Sequence, residues 1–325
     1  MFGMRRRDFV TLLGGAAAAW PVAVRAQQPG MALIGFLQRT GPIRSDFAHF
    51  RDGLAAAGYE QGRTIRIEQR YADGSEERLH ELVRELIAMN PAVLVVDGIV
   101  TVEAVQSQSR AIPVVSAIIS DPARLGITNL NRPGGNVTGL TTLIDFLFAK
   151  RLELVKEMLP HARRVAVLRN AANVSSVAEQ VTRQAAAALG VELRVFDLRS
   201  DGVRSAVFTE IANNRPDALL QFGDAVFANR PREFVDLALA LRLPTMYGER
   251  EFVAAGGLIS YGVNFSDQWR RAASYVDKIL KGSNPGDLPV EQPTKFEICV
   301  NLRTARSLGI EMPPSILVRA DEVIE

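Results

Sequence analysis

The feature that most constrains the fold of this chain is a regular alternation of short apolar runs with amphipathic segments, which starts at Met31. Such alternation is typical of βαβ units, in which each strand of a parallel sheet is followed by a helix that packs on it. The predicted elements are strands at 31–37, 64–71, 92–97 and 112–118 and helices at 43–57, 76–89 and 99–109. The first part of the chain therefore predicts an α/β lobe.

A second series of the same kind follows the loop at 131–136, whose Pro, Gly and Asn content ends any helix or central strand. Its predicted elements are strands at 164–169, 191–197, 218–222 and 244–247, helices at 145–158, 173–189, 203–213 and 231–241, and then a helix at 266–280, a strand at 296–300 and a helix at 302–308. We find no fixed-period sequence similarity between the halves, so the architecture repeats and the sequence does not.

These patterns predict an α/β protein of two Rossmann-like lobes, each with a parallel sheet, joined by a hinge of several crossing segments. Lobe 1 is assigned to residues 31–139, with about 263–290 returning to it. Lobe 2 is assigned to residues 140–262, with part of 291–325 assigned to it as well. The loop at 131–139 and the segment at 256–264 are interpreted as crossings between the lobes.

The composition is consistent with two domains and argues against a nucleic-acid partner. The 325 residues are 47% hydrophobic and 23% charged, as in ordinary globular proteins, and this length suits two domains. The 38 basic and 36 acidic side chains nearly cancel, which argues against nucleic-acid binding. The one cysteine, Cys299, excludes an internal disulfide and lies in a strand pattern, where we expect it to be a buried apolar filler.

The N-terminus has the pattern of an export signal. Arg5, Arg6 and Arg7 precede an uncharged stretch from Val10 to Val24, and Val24-Arg25-Ala26 offers the small residues of a cleavage site. The stretch is shorter than the roughly 20 residues that span a bilayer, although an uncleaved anchor is the alternative. Arg6-Arg7-Asp8-Phe9 resembles the twin-arginine signal, with the general secretion pathway as the other route. We expect residues 1–26 to be removed and the protein to reach the periplasm.

Motifs for catalysis are absent from the sequence. His49, His80 and His161 are scattered, no HExxH or Cys/His cluster occurs, and neither a G-x-S-x-G turn nor a GxxxxGK[ST] loop is present. The run from Gly134 to Gly139 follows a Pro turn and not a strand, so it does not match the dinucleotide fingerprint. We therefore expect no enzymatic activity, no metal and no cofactor.

The candidate site follows from a general rule, that open α/β sheets bind ligands outside the carboxyl ends of their strands. The residues at or beside those ends, which we take as ligand-binding candidates, are Gln38, Arg39, Thr40, Gly98, Ala117, Asn173, Ser175, Ser176, Gly223, Asp224, Tyr247 and Gly248. The Ser, Asn and Asp residues among them are also common helix caps and turn formers, and that alternative stays open for each.

The chemistry of these side chains indicates a ligand class. Asn173, Ser175 and Ser176 at a helix start suit a carboxylate, and Asp224 suits an amino group. Tyr247 and Phe227 are suited to wall an apolar side chain. An amino acid or a related aromatic or aliphatic acid is the resulting hypothesis.

Five separated segments carry a family likeness over nearly the whole chain after the signal. They are GLAAAGYEQGRTIRIEQRYADG at 53–74, the run from Ile112 to Val115, Asp121-Pro122, NRPGGNVTG at 131–139 and REFVAAGGLISYG at 250–262. In this order they resemble the substrate-binding proteins of ABC importers, most closely the branch with tryptophan- and tyrosine-type binding proteins. One departure is Ile99 after Gly98, where family members often carry a small hydroxyl residue.

The resemblance implies a type I periplasmic-binding-protein fold, with a small molecule held between two lobes that close on it. It also implies delivery to a membrane permease with its ATPase at the inner membrane, and we expect a monomer. A periplasmic sensor that presents its bound ligand to a membrane receptor is the alternative on the same fold. An exported hydrolase would need a nucleophile beside a base. A lac-repressor-like regulator would need a helix-turn-helix where the export signal lies.

Overall fold

The computed structural model describes residues 31–41, 46–170, 176–198 and 204–325. Its first sheet is wholly parallel and has the strand order β2-β1-β3-β4-β5. The strands are β1 (Ala32–Gln38), β2 (Ile65–Tyr71), β3 (Val93–Val96), β4 (Val114–Ile119) and β5 (Val137–Thr141). Helices α1 (Asp46–Ala56), α2 (Glu76–Ala88) and α3 (Ile99–Gln106) connect them. This sheet and the helices on it are called lobe 1 below.

The second sheet has seven strands in the described part of the chain, in the order β12-β11-β10-β9-β8-β6-β7. Only the β10–β11 pair is antiparallel. The strands are β6 (Arg164–Asn170), β7 (Glu192–Leu198), β8 (Ala218–Gln221), β9 (Thr245–Tyr247), β10 (Ile259–Val263), β11 (Phe296–Asn301) and β12 (Glu322–Ile324). We call this sheet with its helices lobe 2.

Helices cover both faces of the second sheet, and one later helix returns to the first. The lobe 2 helices are α4 (Ile144–Met158), α5 (Ser176–Leu189), α6 (Arg204–Asn213), α7 (Ala225–Ala228), α8 (Pro231–Ala240), α9 (Arg250–Ala254), α11 (Leu302–Leu308) and α12 (Pro314–Leu317). Helix α10 (Phe265–Leu280) instead lies against α1 and the first sheet. Its buried Trp269, Tyr275 and Val276 share one apolar cluster with Phe36 and Phe50.

Three connections carry the chain between the two sheets. The first follows Thr141 at the end of β5, the second passes through Asn264, and the third runs from Glu291 to β11. The third pairs with β5, because the Thr141 amide donates to the Glu291 carbonyl at 2.8 Å and the Glu291 amide donates to the Gly139 carbonyl at 3.0 Å. The predicted hinge of several crossing segments is confirmed.

One predicted crossing is wrong in detail. Residues 131–139 were expected to lead from one lobe to the other, but Val137–Thr141 is the edge strand β5, parallel to β4, and the chain leaves the first sheet only after Thr141. Every residue of β5 is buried, and Gly139 has φ +140° where a Cβ would meet the Ser116 carbonyl oxygen at 1.9 Å. Gly139 therefore permits a close approach of two strands.

The described residues bear on the predicted buried cysteine and on membrane-spanning helices. Cys299 is a free thiol in β11 with 1% of its surface exposed, as expected for a buried filler. No helix among residues 31–41, 46–170, 176–198 and 204–325 is long and apolar enough to span a bilayer. The predicted export signal, residues 1–26, lies outside the described residues.

Candidate functional site

The loops at the carboxyl ends of the strands in the two lobes approach each other across a cleft. A cavity of about 270 Å³ there is lined by Gly41, Asp73 and Gly74 of lobe 1 and by Asn229 and Arg230 of lobe 2. None of the twelve predicted site residues lines this cavity, although Gly41 directly follows Thr40. The cavity marks where the lobes face each other.

On the lobe 1 side, the end of β1 presents buried polar atoms. Gln38 is 1% exposed and its Nε2 donates a hydrogen bond to Oδ2 of Asp46 at 2.8 Å. Its Oε1 and the hydroxyl of Thr40 are buried and form no hydrogen bond with any described residue. Buried polar atoms in native proteins are nearly always paired, so unpaired atoms at the edge of a cleft indicate a place for a ligand or water.

Asp46 begins α1 beside these atoms. Burial raises the pKa of its carboxyl to about 7, the Gln38 hydrogen bond opposes this, and the charges of Asp97 and Glu251 add to the rise. Because Glu251 belongs to α9 of lobe 2, a carboxyl group of each lobe lies within electrostatic reach of the other.

Asp97 and its neighbours hold the lobe 1 loops in place. The Asp97 carboxylate accepts the backbone N–H of Arg39 at 2.9 Å and the hydroxyl of Thr101 at 2.7 Å, which ties the loop after β1 to that after β3. Burial raises the pKa of Asp97. Gly98 has φ +149°, a conformation that favours glycine, and Ile99 is 8% exposed. Ile99 is thus a largely buried first residue of α3.

On the lobe 2 side, Glu249 follows β9 and is half-buried. Burial raises the pKa of its carboxyl to about 8. The charges of Glu251, Asp46 and Asp224 add to that rise, and the nearby Arg151 guanidinium opposes it. Asp46, Asp97, Asp224, Glu249 and Glu251 are called the cleft carboxylates below. Within the described ranges, no three His, Cys, Asp or Glu side chains are grouped to hold a metal ion.

Arg151 supports this edge of lobe 2 from beneath. Its side chain is 1% exposed, its Nε donates to the Tyr261 carbonyl at 2.6 Å, and its Nη2 donates to the Gly248 carbonyl at 3.5 Å. The guanidinium carbon lies 4.8 Å from the Phe148 ring centroid, and that ring stacks on Phe222. Burial lowers the pKa of Arg151 to about 10. The guanidinium therefore joins the backbone just after β9 to the middle of β10.

The other predicted residues of lobe 2 are more dispersed. Asp224 lies at the start of α7, where its Oδ1 accepts from the Asn170 amide at 3.1 Å and from the Val226 backbone N–H at 2.8 Å. Tyr247 and Phe227 are 2% and 0% exposed and belong to one apolar cluster of lobe 2. Gly223 is half-buried beside Asp224, and Gly248 is buried.

Three predicted residues cannot be placed at the cleft, and one lies in a core. Asn173 and Ser175 fall outside the described residues. Ser176 is exposed at the start of α5. Ala117 is 0% exposed and packs in the apolar cluster between the lobe 1 sheet and α10.

The structure adds residues that sequence reasoning missed. Asp46 and Arg151 both lie within amphipathic helices. An acidic residue such as Asp46 in the first turn of a helix is an ordinary capping feature. A basic residue such as Arg151 ordinarily lies on the solvent face of such a helix. Glu249 directly follows Gly248 in the loop after a predicted strand, and its sequence alone does not distinguish it from other turn residues. The one available signal for Asp46 was its position in the helix that follows the first strand of an α/β sheet.

Comparison with known proteins gives consistent matches. The family model described as ABC transporter substrate binding protein matches residues 43–324. The "Tyrosine-binding protein" of Clostridioides difficile (strain R20291) is 23% identical over 266 residues, which are 81% of this chain and 76% of that protein.

Solved structures match over most of both chains. A conserved domain protein from Vibrio cholerae has a TM-score of 0.80 at 26% identity, with 90% of this chain and 99% of that one covered. An "ABC domain in complex with L-Trp" from Streptococcus pneumonia has a TM-score of 0.81 at 24% identity, with the same coverage.

These matches agree with the two sheets, the alternating helices and the three crossings described above. The fold is the predicted type I periplasmic-binding-protein fold. The matching family is one of solute-binding proteins and not of enzymes. Because its model covers 43–324, which is most of the 325 residues, the chain belongs to the family of ABC transporter substrate-binding proteins.

Proposed function

We propose that this protein is the solute-binding component of an ABC importer, which captures an amino acid or an aromatic or aliphatic carboxylate between its lobes. It would hand that solute to a permease and its ATPase at the inner membrane. The observation that carries the proposal is the convergence of buried, unpaired polar atoms at the end of β1 with charged groups of lobe 2. Such a site binds a small polar molecule that touches both lobes.

The amino-acid class rests on chemistry and on likeness. One matching relative is named for tyrosine, and one matching structure, which shares this architecture, holds L-Trp. In this chain, the cleft carboxylates suit an amino group, while the hydroxyl of Thr40 supplies a donor for a carboxylate. An amino acid has both an amino group and a carboxylate, so it can bind the cleft carboxylates and the Thr40 hydroxyl at once.

A thermal-shift screen tests this proposal. The purified protein is heated with each of the twenty amino acids and with aromatic and aliphatic acids such as 4-hydroxybenzoate. A ligand present at 100 times its dissociation constant stabilises by about 2.7 kcal/mol, which raises the melting temperature by several degrees. Calorimetry then gives stoichiometry, for which we expect one site per chain. Absence of stabilisation by every compound would contradict the proposed function.

We also propose that the protein acts in the periplasm as a monomer, after removal of residues 1–26. The support is the sequence pattern of that segment together with the family match. Mass spectrometry of periplasmic protein should then show a chain that starts at Gln27. Replacement of both Arg6 and Arg7 with lysine should block export if the twin-arginine route operates, and full-length chain in the cytoplasm of the wild type would refute export.

A further inference from the structure

A buried amide lies where α10 meets the hinge. Gln268 is 1% exposed, and its Nε2 donates a hydrogen bond to the Thr141 carbonyl at 2.7 Å. Its Oε1 faces Nη1 of Arg271 at 3.5 Å, which orients the amide with its N–H groups toward Thr141. Thr141 ends β5, and the chain leaves lobe 1 directly after it. This bond therefore attaches the first crossing to α10.

The second crossing is bound to the same end of α10. Asn264 precedes this helix, and its Oδ1 accepts the backbone N–H of Asp267 at 2.8 Å, as an N-cap does. Its Nδ2 donates to Oε2 of Glu297, the second residue of β11, at 2.8 Å. Its backbone N–H donates to the Lys295 carbonyl at 3.2 Å. Asn264 thus joins the start of α10 to lobe 2.

The third crossing is bound to the next turn of α10. Nη2 of Arg271 donates to the Glu291 carboxylate at 2.5 Å and to the Gln292 carbonyl at 3.4 Å. The Asp267 carboxylate pairs with Nζ of Lys295 at 2.7 Å. Positions 264, 267, 268 and 271 have the three- and four-residue spacing that places side chains on one side of a helix. These four residues, Asn264, Asp267, Gln268 and Arg271, are called the hinge cluster below. All three crossings contact it.

The helix that carries the hinge cluster belongs to lobe 1, because its Trp269 and Tyr275 pack in one apolar cluster with the first sheet. The first crossing therefore starts from a fixed point at Thr141. Of the next two residues, Leu143 has φ +49°, which residues other than glycine rarely adopt. The buried hydroxyl of Thr142 forms no hydrogen bond with any described residue. Hinge motions are absorbed by a few residues at the ends of elements, and these two are placed to absorb one.

We propose that Gln268 is a positioning residue of the hinge, which holds the Thr141 carbonyl on α10 and so limits bending of the first crossing to the two residues after it. The Thr141 amide donates to the Glu291 carbonyl, so loss of the Gln268 bond loosens the first and third crossings together. This inference rests on the proposed binding of a solute between the lobes, although its first tests need no solute.

The experiment compares two buried amides. Gln268→Met keeps the length of the side chain and removes the N–H donor, which leaves the Thr141 carbonyl without this partner. Asn136→Leu is the matched control, because Asn136 is 7% exposed and its Nδ2 donates to the Ile112 carbonyl at 2.8 Å, within lobe 1. Each variant loses one buried hydrogen bond to a backbone carbonyl, so both should lower the stability of the fold to a similar extent.

Hydrogen exchange without solute, followed by mass spectrometry of peptides, gives the first readout. In Gln268→Met we expect peptides that contain Thr141 or Glu291 to exchange at least about fivefold faster than in the wild type, as the loss of one buried hydrogen bond implies. In Asn136→Leu the peptides that contain Glu291 should keep their wild-type rate. Wild-type exchange at both crossings in Gln268→Met, or an equal increase throughout lobe 1, would overturn the inference.

Distances between the lobes give a second readout, which a loss of stability alone would not change. Glu77→Cys in α2 and Arg232→Cys in α8 supply exposed sites for spin labels, while Cys299 is buried. We expect a broader distribution of distances in Gln268→Met than in the wild type or in Asn136→Leu, all measured without solute. Equal widths in all three proteins would contradict a positioning role.

Leu143→Gly tests the place of the bend and does not depend on the folding of Gln268→Met. Glycine adopts a positive φ and many other conformations without steric cost. We expect a broader distribution of distances between the lobes in this variant, with wild-type exchange at Glu291 because the Gln268 bond is intact. An unchanged distribution would show that the first crossing bends elsewhere and would overturn the inference.

Solute binding separates this inference from the proposed function. When lobe 2 takes up more orientations, a smaller fraction of molecules is competent to bind, and the apparent affinity falls by that fraction. Calorimetry with L-tryptophan, L-tyrosine and the compound that gives the largest thermal shift should show binding to Gln268→Met at least about fivefold weaker than to Asn136→Leu. Equal affinities would overturn the inference and leave the proposed function intact. If the wild type binds no compound, the proposed function falls, and the exchange and distance measurements still decide the role of Gln268.

Discussion

At the scale of single residues, the carboxyl groups of Asp46 and Glu249 act against the stability of the empty protein when they ionise. A carboxyl whose pKa is higher in the folded chain than in the unfolded chain binds more protons when folded, so its contribution to stability is lost as pH rises. For Asp46 and Glu249 the loss falls between the ordinary pKa of a carboxyl and about 7 to 8. The empty protein should thus be more stable at mildly acidic than at alkaline pH.

Asp46→Asn tests this directly. The variant cannot ionise at position 46, so we expect its melting temperature without solute to fall less between about pH 5 and pH 8 than that of the wild type. Each unit of pKa difference corresponds to about 1.4 kcal/mol, or roughly 3–6 °C in a domain of about 150–250 residues. Thermal melts across that range measure the difference. Asp52→Asn, on the exposed side of the same helix, is the matched control. Parallel profiles for wild type and both variants would show that Asp46 does not carry the effect.

The candidate site could be predicted from the sequence only in part. The strand-end rule selected Gln38 and Thr40, whose unpaired atoms the structure shows at the cleft, but membership of a binding site stays a prediction for all twelve residues. Asp46 and Arg151 could not be selected, because their roles depend on burial by elements distant in the sequence. Arg151, for example, is covered by residues about 100 positions later.

At the scale of elements, the carboxyl ends of β9 and β10 are packed without space for side chains. A Cβ on Gly262 would lie 1.8 Å from the Gly248 carbonyl oxygen, and one on Gly248 would lie 3.0 Å from Nη2 of Arg151. Both strands thus approach each other above the buried guanidinium, with backbone atoms alone at the contact. This close approach fixes the position of Glu249 relative to the cleft.

We expect Gly262→Ala to force these strands apart. Overpacking of this kind costs about 1–3 kcal/mol, and the affinity for the amino acid should fall with it because Glu249 moves. Denaturant unfolding and calorimetry measure the two effects. Gly223→Ala is the comparison for stability, since its Cβ would meet nothing nearer than 3.9 Å. Wild-type stability of Gly262→Ala would show that the strand edge adapts.

The order of strands and helices was largely predictable, and the failures have a local cause. Apolar runs and amphipathic periods located β1 to β4 and β6 to β9, because parallel strands buried on both faces have continuous apolar sequences. Strand β5 was missed because its glycine and threonine residues are typical of loops when considered alone. Its burial comes from β4 on one side and from the segment at Glu291 on the other, and neither contact is visible in the local sequence.

At the scale of the whole molecule, three crossings permit the lobes to move as bodies while each sheet stays intact. We expect the amino acid that stabilises the protein to reduce its radius of gyration without a change in secondary structure, as hinge closure requires. Small-angle scattering and circular dichroism, each with and without saturating amino acid, measure the two quantities. An amino acid that does not stabilise the protein serves as the control. An unchanged radius at saturation would count against closure.

The return of α10 to lobe 1 has a consequence for the order in which the protein folds as it is synthesised. The ribosome completes β1 to β5 early, but one face of their sheet stays uncovered until Trp269, Tyr275 and Val276 have emerged. Lobe 2 waits in turn for β11 and β12, which come after that helix in the chain. Neither lobe can therefore complete its core before these later segments have been synthesised. A chain that stops before α10 should remain open to proteases and chaperones along its whole length.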